Sequence, residues 1–291
     1  MSREDDDGSG GSPQNFQQGG AGSQLKGRIV IAMVVALFAL IKYLMHGDVN
    51  PITGETQRVA IADVNQEAAL GQSSAPAMIQ QFGGEEPNRR KQARVTQMGE
   101  KLVDAMEQNL LKGRPNPYRF QFHLLADPKT VNAFALPGGQ VFITDALLDM
   151  LETDGQLAGV LGHEIGHVIQ RHSNQRMAKQ ELTQGLVGAA GVAGGNLNAQ
   201  QAADYVAKLV TLSYGRKDEL EADRWGVRLC VYAKYDPHAM LGVMDILDKV
   251  SSGNKTPEMM QTHPKPENRK EYIMGVFKDE FPNGFPKGLE P

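Results

Sequence analysis

Two histidines and a glutamate stand at a spacing that suits a metal ion. In the stretch LGHEIGHVIQRH, residues 161–172, His163 and His167 lie four positions apart, so on a helix their side chains share one face. Glu164 lies at the edge of that face, where its carboxylate can reach a metal-bound water without ligating the metal. This H-E-x-x-H pattern predicts zinc-dependent hydrolysis, although the bare pattern also occurs by chance.

The surroundings of the motif favour a metal site over a chance match. Thr153 can cap a helix that carries the motif, and apolar residues at helical spacing predict that this helix is buried. A catalytic zinc ion needs three protein ligands and one open position. His172 lies five residues beyond His167 and, at about 100° per residue, faces away from both motif histidines. The third ligand is therefore expected from another helix.

A later predicted helix carries carboxylates in a suitable arrangement. Glu219 and Asp223 are four residues apart and share a face, whereas Glu221 points about 200° away from Glu219. Ala222 and Gly226 are small and allow close packing against the helix of the histidines. Acidic helix faces are usually only solvated, but the order of the two motifs argues against that interpretation.

Together these motifs resemble the M48 family of zinc metallopeptidases, in which H-E-x-x-H precedes E-x-x-A-D on a later helix. Residues 132–139 (NAFALPGG) are similar to the family's N-A-x-A-x-P-G-G segment. Residues 262–269 (THPKPENR) are similar to its T-H-P-x-x-x-x-R element. The resemblance covers about residues 65–275.

The resemblance implies a zinc site and a mechanism. One Zn²⁺ per chain would be held by His163, His167 and Glu219, while Asp223 orients a ligating histidine. Nitrogen and oxygen ligands in this motif favour zinc among divalent ions. Zinc lowers the pKa of its water, and Glu164 acts as the general base that passes the proton to the leaving amine.

A second catalytic group is expected near the end of the chain. The developing oxyanion needs a donor besides zinc, and His263 is the first candidate, with Arg269 the second. The resemblance also permits an inhibitory role, in which His263 closes the open zinc position.

The strand after the Pro-Gly-Gly turn is predicted to hold the substrate. It comprises Gln140, Val141, Phe142, Ile143 and Thr144, and it could offer an exposed edge beside the zinc. Main-chain pairing gives affinity with little demand on sequence, so unfolded polypeptide is the expected substrate class. In the alternative interpretation this hairpin only packs the fold.

The N-terminal part predicts a membrane anchor. Residues 1–28 form a polar, disordered tail, and residues 29–45 form an apolar transmembrane helix interrupted only by Lys42 near its end. Residues 46–60 are predicted to be a linker, and residues 61–291 the M48-like metallopeptidase domain. A buried core helix or a cleaved signal peptide are the alternatives. The run is apolar on every face and no small-residue cleavage site follows it, which opposes both.

The expected fold class is α+β: a mainly helical, zincin-like metallopeptidase domain with a small antiparallel sheet, preceded by one transmembrane helix. Residues 184–195 are small and apolar but too few to span a membrane, so a packed helix or a mobile flap is expected there. The chain from Asn254 on is rich in proline and glycine and is expected to be mostly irregular.

Charge and composition restrict the partners. The formal net charge of −4 argues against nucleic acid, and the single cysteine, Cys230, excludes an intramolecular disulfide. Lys26 and Arg28 precede the apolar run, which favours a single-pass protein of the cell membrane with its catalytic domain on the periplasmic side.

These features predict a zinc-dependent endopeptidase that cleaves unfolded or misassembled membrane or envelope proteins. A single span argues against the prenyl-protein processing of multi-span members. The alternative is a latent protease that acts mainly as a chaperone-like or assembly factor for envelope proteins. A membrane-anchored scaffold with an accidental motif is a weaker third hypothesis.

Overall fold

The computed structural model describes residues 21–194, 214–251, 257–263 and 268–291. The helices are α1 (Ala21–Met45), α2 (Val64–Gln81), α3 (Arg89–Met106), α4 (Asp145–Leu148), α5 (Asp154–Ile169), α6 (His172–Gly194), α7 (Arg216–Tyr232), α8 (Ala239–Ser251), α9 (Glu258–Thr262) and α10 (Arg269–Glu280). The strands are β1 (Gly47–Val49), β2 (Thr56–Arg58), β3 (Gln121–Leu125), β4 (Ala133–Leu136) and β5 (Gln140–Thr144). The predicted fold class is confirmed, because the described chain is mostly helical with small sheets and one apolar N-terminal helix.

Helices α5 and α7 pack closely at the centre of the domain. Thr153 and Gln156 form a reciprocal capping box at the start of α5, which confirms the predicted cap. Glycine allows the two helices to approach, because a Cβ atom at Gly166 would lie 2.7 Å from the Cβ of Trp225 and 3.0 Å from the carbonyl oxygen of Ala222. The two predicted motif helices are therefore direct neighbours.

The main apolar core surrounds this helix pair. Helix α3 and helix α8 pack on α5, while α10 packs on α7. Fully buried members of this core include Leu102, Leu124, Leu157, Leu161 and Ile165. Helix α5 is thus held from several sides, which fixes the side chains that it presents.

The larger sheet is mixed rather than antiparallel. Its strand order is β3-β5-β4, in which β4 and β5 form the predicted antiparallel hairpin and β3 runs parallel to β5. The predicted small antiparallel sheet is present as the β4–β5 hairpin, and β3 extends it through a parallel pairing with β5 that the sequence did not predict. The turn needs glycine at Gly139, whose φ is 117° and where a Cβ atom would lie 2.9 Å from the carbonyl oxygen of Arg119.

Helix α1 is long and apolar enough to cross a membrane from Gln24 to Met45. It begins at Ala21, so residues 21–28, which were assigned to the disordered tail, are helical. Good helix formers such as Gln24, Leu25 and Lys26 extend the helix beyond the apolar run. Residues 1–20 of the predicted tail lie outside the described residues.

The predicted linker is tied to the end of α5. It contains the two-stranded ribbon of β1 and β2. Arg171, which is 1% exposed, donates to Glu67 Oε2 at 2.8 Å, to Asp48 Oδ2 at 2.6 Å and to the carbonyl oxygen of Ile61 at 2.6 Å. Through Arg171, the segment that follows α1 is therefore hydrogen-bonded to the end of the helix that carries the motif histidines.

Candidate active site

Four buried side chains converge where α5 meets α7. His163 and His167 come from α5, Glu219 from α7, and His263 follows α9 directly. The Nε2 atoms of His163 and His167 are 3.1 Å apart, and His263 Nδ1 lies 3.0 Å from Glu219 Oε1. His163 Nε2 lies 3.4 Å from His263 Nδ1, and His167 Nε2 lies 3.5 Å from Glu219 Oε1. Ligands bound tetrahedrally at 2.0–2.1 Å are about 3.3 Å apart, so this spacing fits one zinc-sized ion.

The protonation of His163 supports the same conclusion. Its Nδ1 lies 2.9 Å from Asp223 Oδ1, and a carboxylate can only accept, so Nδ1 carries the proton in a neutral ring. The lone pair of Nε2 then points into the group of four, towards other electron-pair donors. A cation held between these atoms would remove the repulsion.

Several buried polar atoms at this group of side chains have no hydrogen-bond partner among the residues that the structure describes. Within the described parts of the chain, both carboxylate oxygens of Glu164, Oε2 of Glu219 and Nε2 of His263 are buried without a hydrogen-bond partner. Buried polar atoms without partners are costly, so they indicate a missing ligand. The residues present therefore fit a divalent metal ion with nitrogen and oxygen ligands.

Asp223 and Arg269 form a buried ion pair behind His163. Arg269 donates to Asp223 through Nε at 2.7 Å and through Nη2 at 2.6 Å. Burial would raise the pKa of Asp223, but Arg269 and the hydrogen bond from His163 outweigh it and lower this pKa to about 2. Asp223 is thus a permanent acceptor for His163, and Arg269 is committed to Asp223 rather than free to bind an oxyanion.

His167 is held by His172, which is held in turn by Glu221. The sequence did not predict this chain of contacts. His172 Nδ1 lies 2.9 Å from His167 Nδ1, and His172 Nε2 lies 3.1 Å from Glu221 Oε2. The carboxylate fixes a proton on Nε2 of a neutral His172, whose Nδ1 then accepts from His167. The angular argument against His172 assumes one continuous helix, but Arg171 adopts φ 55° and α6 starts afresh at His172.

Glu164 is fully buried beside the four converging side chains. Burial raises its pKa, and the neighbouring His263 and His163 oppose that rise only in part. Its Oε1 lies 3.7 Å from His263 Nε2, beyond hydrogen-bond distance. The carboxylate therefore has free acceptor capacity towards the centre of the site.

Tyr214 closes the site from the side of α7. Its ring lies 4.0 Å from that of His167 and 5.0 Å from that of His263, measured between ring centroids. Its hydroxyl is 2.8 Å from Ser173 Oγ, and burial raises its pKa to about 12, so it stays protonated. Tyr214 lies outside every motif, so the sequence carries no signal for it.

A cavity of about 380 Å³ opens beside these four converging side chains, His163, His167, Glu219 and His263. Its lining comes from α2, from the residues of β4 and its flanks, from α6, and from Tyr214 and His263. The side chains are mostly apolar, including Leu70, Met78 and Phe134. Asn132 also lines this cavity, and its amide oxygen is buried without a hydrogen-bond partner among the described residues. The cavity therefore offers a largely apolar groove with one free acceptor.

The strand that was expected to hold the substrate, β5, is enclosed by its neighbours. All five of its residues, Gln140, Val141, Phe142, Ile143 and Thr144, are buried, and β5 pairs with β3 on one side and β4 on the other. Strand β5 therefore offers no exposed edge. Among the described strands, β4 is the outer strand that borders the cavity. An edge open to pairing beside the site is therefore found on β4, the other strand of the hairpin.

The model for Peptidase family M48 matches residues 89–275. The chain belongs to peptidase family M48. The predicted family is therefore confirmed, and membership implies a metal ion, which the group formed by His163, His167, Glu219 and His263 could hold.

Curated relatives carry protease names. The beta-barrel assembly-enhancing protease of Yersinia pestis is 33% identical over 180 residues, which cover 55% of this chain and 35% of that protein. The mitochondrial metalloendopeptidase OMA1 of Schizosaccharomyces pombe is 33% identical over 152 residues, covering 52% and 44%. The human mitochondrial metalloendopeptidase OMA1 is 27% identical over 254 residues, covering 81% and 47%. The predicted enzyme class agrees with these names, while the chain spans about a third of the length of the beta-barrel assembly-enhancing protease.

Proposed function

We propose that this M48 chain is a zinc-dependent endopeptidase, with His163, His167 and Glu219 as ligands and Glu164 as the general base. The observation that carries the proposal is the convergence of nitrogen and oxygen atoms of these three ligands, 3.1–3.6 Å apart, beside a buried carboxylate with no hydrogen-bond partner among the described residues. A structural carboxylate at this depth would be paired, whereas a general base must keep an acceptor free.

The surrounding residues prepare the site for peptide hydrolysis. Zinc, when bound, would acidify a water molecule and polarise the scissile carbonyl. Glu164 accepts the proton of the attacking water and delivers it to the leaving nitrogen, and its raised pKa helps it to hold that proton between the two events. Asp223 fixes the ring of His163, and His172 fixes the ring of His167.

Extended polypeptide is the substrate class that the groove suits best. A substrate strand can pair with the outer edge of β4, where main-chain bonds give affinity without demanding a sequence. Phe134 and Met78 in the cavity then take an apolar side chain of the substrate. The name of the bacterial relatives supports unfolded or misassembled envelope proteins as the natural substrates. Helix α1 supports a location in the cell membrane, and the positive charges of Lys26 and Arg28 before its apolar run favour a periplasmic catalytic domain.

His263 favours a latent form of the enzyme. A catalytic zinc ion keeps one position open for water or substrate, but His263 Nδ1 stands within the group of ligand atoms. This position supports closure of the site rather than stabilisation of an oxyanion. The structure therefore favours a closed conformation, and the assembly-factor hypothesis gains support from the same contact.

Cleavage of an unfolded model protein tests the proposal. The full chain in detergent micelles with one equivalent of zinc should cut reduced, unfolded protein, and a chelator should stop the reaction. The matched variant Glu164→Gln keeps size and burial but has no basic carboxylate, so it should bind zinc as well as the wild type and cut at least 100-fold more slowly. Equal cleavage by both proteins would remove Glu164 from the mechanism.

A further inference from the structure

Helix α6 leaves the active site and runs along α1. Lys42 Nζ on α1 lies 2.7 Å from Glu181 Oε2 on α6. Further on, a Cβ atom at Gly185 would lie 2.5 Å from the Cβ of Ala39, so the two backbones are in close contact. The earlier residue of α1, Ala39, contacts the later residue of α6, Gly185, so the two helices are antiparallel.

On both helices, the boundary between polar and apolar sequence lies near the Lys42–Glu181 ion pair. On α1, Lys42 is the charged residue at the end of the apolar run, and its partner Glu181 is the last charged residue of α6. Beyond Glu181, the ten residues from Gly185 to Gly194 carry no polar side chain. Tyr43 lies at this level as well and contacts the guanidinium of Arg58 at 5.5 Å, which suits a membrane interface.

The outer face of α1 and that of α6 beyond Gln184 are apolar and exposed. On α1, Val34 is 61% exposed and Phe38 is 70% exposed, and on α6, Leu186 is 44% exposed. The two helices bury small residues instead, since Ala32 is 8% exposed and Ala189 is 5% exposed. Small residues between helices and large apolar residues outside are the arrangement of helices in lipid.

We propose that the second half of α6, from Gly185 to Ala193, is immersed in the lipid bilayer beside α1. The partner of this surface is the acyl-chain region of the membrane. Because α6 contacts α1 along this length, any bilayer that surrounds α1 surrounds α6 as well. Nine residues of helix extend about 14 Å, roughly half of the hydrocarbon thickness, so this half of α6 enters the bilayer without having to cross it.

This placement fixes the distance between the membrane and the active site. Helix α6 starts at His172, which contacts His167, and nine residues of helix, about 14 Å, separate it from Glu181. The same stretch lines the cavity with Arg176 and Met177. About four residues of extended chain cover 14 Å. If the proposed peptidase function holds, the site therefore receives peptide bonds within a few residues of the point where a substrate leaves the bilayer.

Depth-dependent quenching tests the position of α6 without relying on activity. The full chain with Leu186→Cys, labelled with an environment-sensitive fluorophore, is reconstituted into phosphatidylcholine–phosphatidylglycerol vesicles. Val34→Cys on α1 and Lys179→Cys on α6, before the polar boundary, are the matched controls. The only native cysteine, Cys230, is buried and its pKa is raised to about 12, so labelling goes to the introduced residue.

The expected result is that the label at residue 186 is quenched by brominated lipid as strongly as the label at residue 34, and less than one fifth as strongly by aqueous iodide as the label at residue 179. Quenching of residue 186 by iodide overturns the proposal. Protection from both quenchers also overturns it, because a protein partner then covers the surface. If α6 lies in lipid but no variant cuts unfolded protein, the peptidase proposal fails and the membrane placement stands.

A cleavage measurement tests the consequence for substrates. An unfolded polypeptide is attached to the same vesicles through a lipid anchor, and its cut sites are mapped by mass spectrometry. Cuts should cluster within about ten residues of the anchor, and Leu186→Arg should lower this cleavage at least fivefold while leaving cleavage of the free polypeptide unchanged. Met274→Arg is the matched control, because Met274 on α10 is 42% exposed. Cuts spread evenly along the polypeptide contradict the predicted distance.

Discussion

Replacing Asp223 by asparagine should weaken both metal binding and the folded state, because two groups depend on the charge of this carboxylate. Asp223 accepts from His163 Nδ1 at 2.9 Å and takes two bonds from Arg269 at 2.6 and 2.7 Å. Asparagine keeps the size of the side chain but removes the charge. His163 then keeps at most a neutral amide oxygen as its acceptor, which holds its tautomer less firmly, and Arg269, which is 3% exposed, keeps a buried positive charge.

The magnitudes follow from these two losses. Loss of a carboxylate behind a ligating histidine weakens metal binding about 10–100-fold, which corresponds to about 1.4–2.7 kcal/mol. Breaking a buried ion pair from one side costs about 3–5 kcal/mol of folding free energy. Glu219 Oε2 lies 3.7 Å from Arg269 Nη1 and compensates part of the charge, so a loss of about 3 kcal/mol is expected.

Zinc competition with a chromophoric chelator and denaturant unfolding of the full chain measure the two effects. Asp245→Asn is the matched control, since Asp245 pairs with Lys270 on the surface and should alter neither quantity by more than the error. Combining Asp223→Asn with Arg269→Met removes the buried charge, so stability should recover while zinc binding stays weak. Zinc affinity within twofold of wild type in Asp223→Asn would refute the role assigned to this carboxylate.

Three further changes test other parts of the site. His263→Ala should open the fourth position and raise the rate of cleavage of unfolded protein about tenfold with zinc still bound, and an unchanged rate together with unchanged zinc affinity would remove both roles considered for this residue. His172→Phe should lower zinc affinity about tenfold, because His167 loses its hydrogen-bond partner, and an unaltered affinity in chelator competition would count against that link. Ala135 lies opposite Val141 in β4, at a position whose N–H is expected to point away from β5, so Ala135→Pro should lower kcat/KM three- to tenfold, whereas Ala135→Val keeps the N–H and should not. Equal kcat/KM in the proline and valine variants would exclude strand pairing at this edge.

The chemistry of the site was predictable because it depends on local spacing. The four-residue interval places His163 and His167 on one face of α5, and the same interval places Glu219 and Asp223 on one face of α7. Helical periodicity is a property of short stretches of sequence, so these faces follow from the residues alone. The family resemblance then connects the two helices.

The features that sequence failed to predict depend on where the chain turns. The left-handed conformation of Arg171 ends α5 and returns His172 to His167, which no projection along one helix reproduces. Strand order is equally non-local, so the edge was assigned to β5 instead of β4. The segment after Asn254 contains many prolines and glycines and was expected to be mostly irregular, yet it contains helix α10. Arg269, the first residue of that helix, donates to Asp223.

Residues 184–195 illustrate a choice between two open alternatives. Their composition permits a packed helix or a mobile flap, and the structure continues α6 through Gly194 in contact with α1, while Gly195 lies outside the described residues. The contact that joins this segment to α1, between Gly185 and Ala39, links residues that lie far apart in the sequence. Such pairing cannot be read from the composition of either segment.

Zinc K-edge X-ray absorption of the full chain, loaded with one equivalent of zinc, tests the metal site most directly. The predicted spectrum contains four nitrogen or oxygen ligands at about 2.0–2.1 Å, with the scattering of three imidazoles in the wild type and of two in His263→Ala. A sulfur ligand, or the same number of imidazoles in both proteins, would contradict the assignment of His163, His167, Glu219 and His263 as the ligating group.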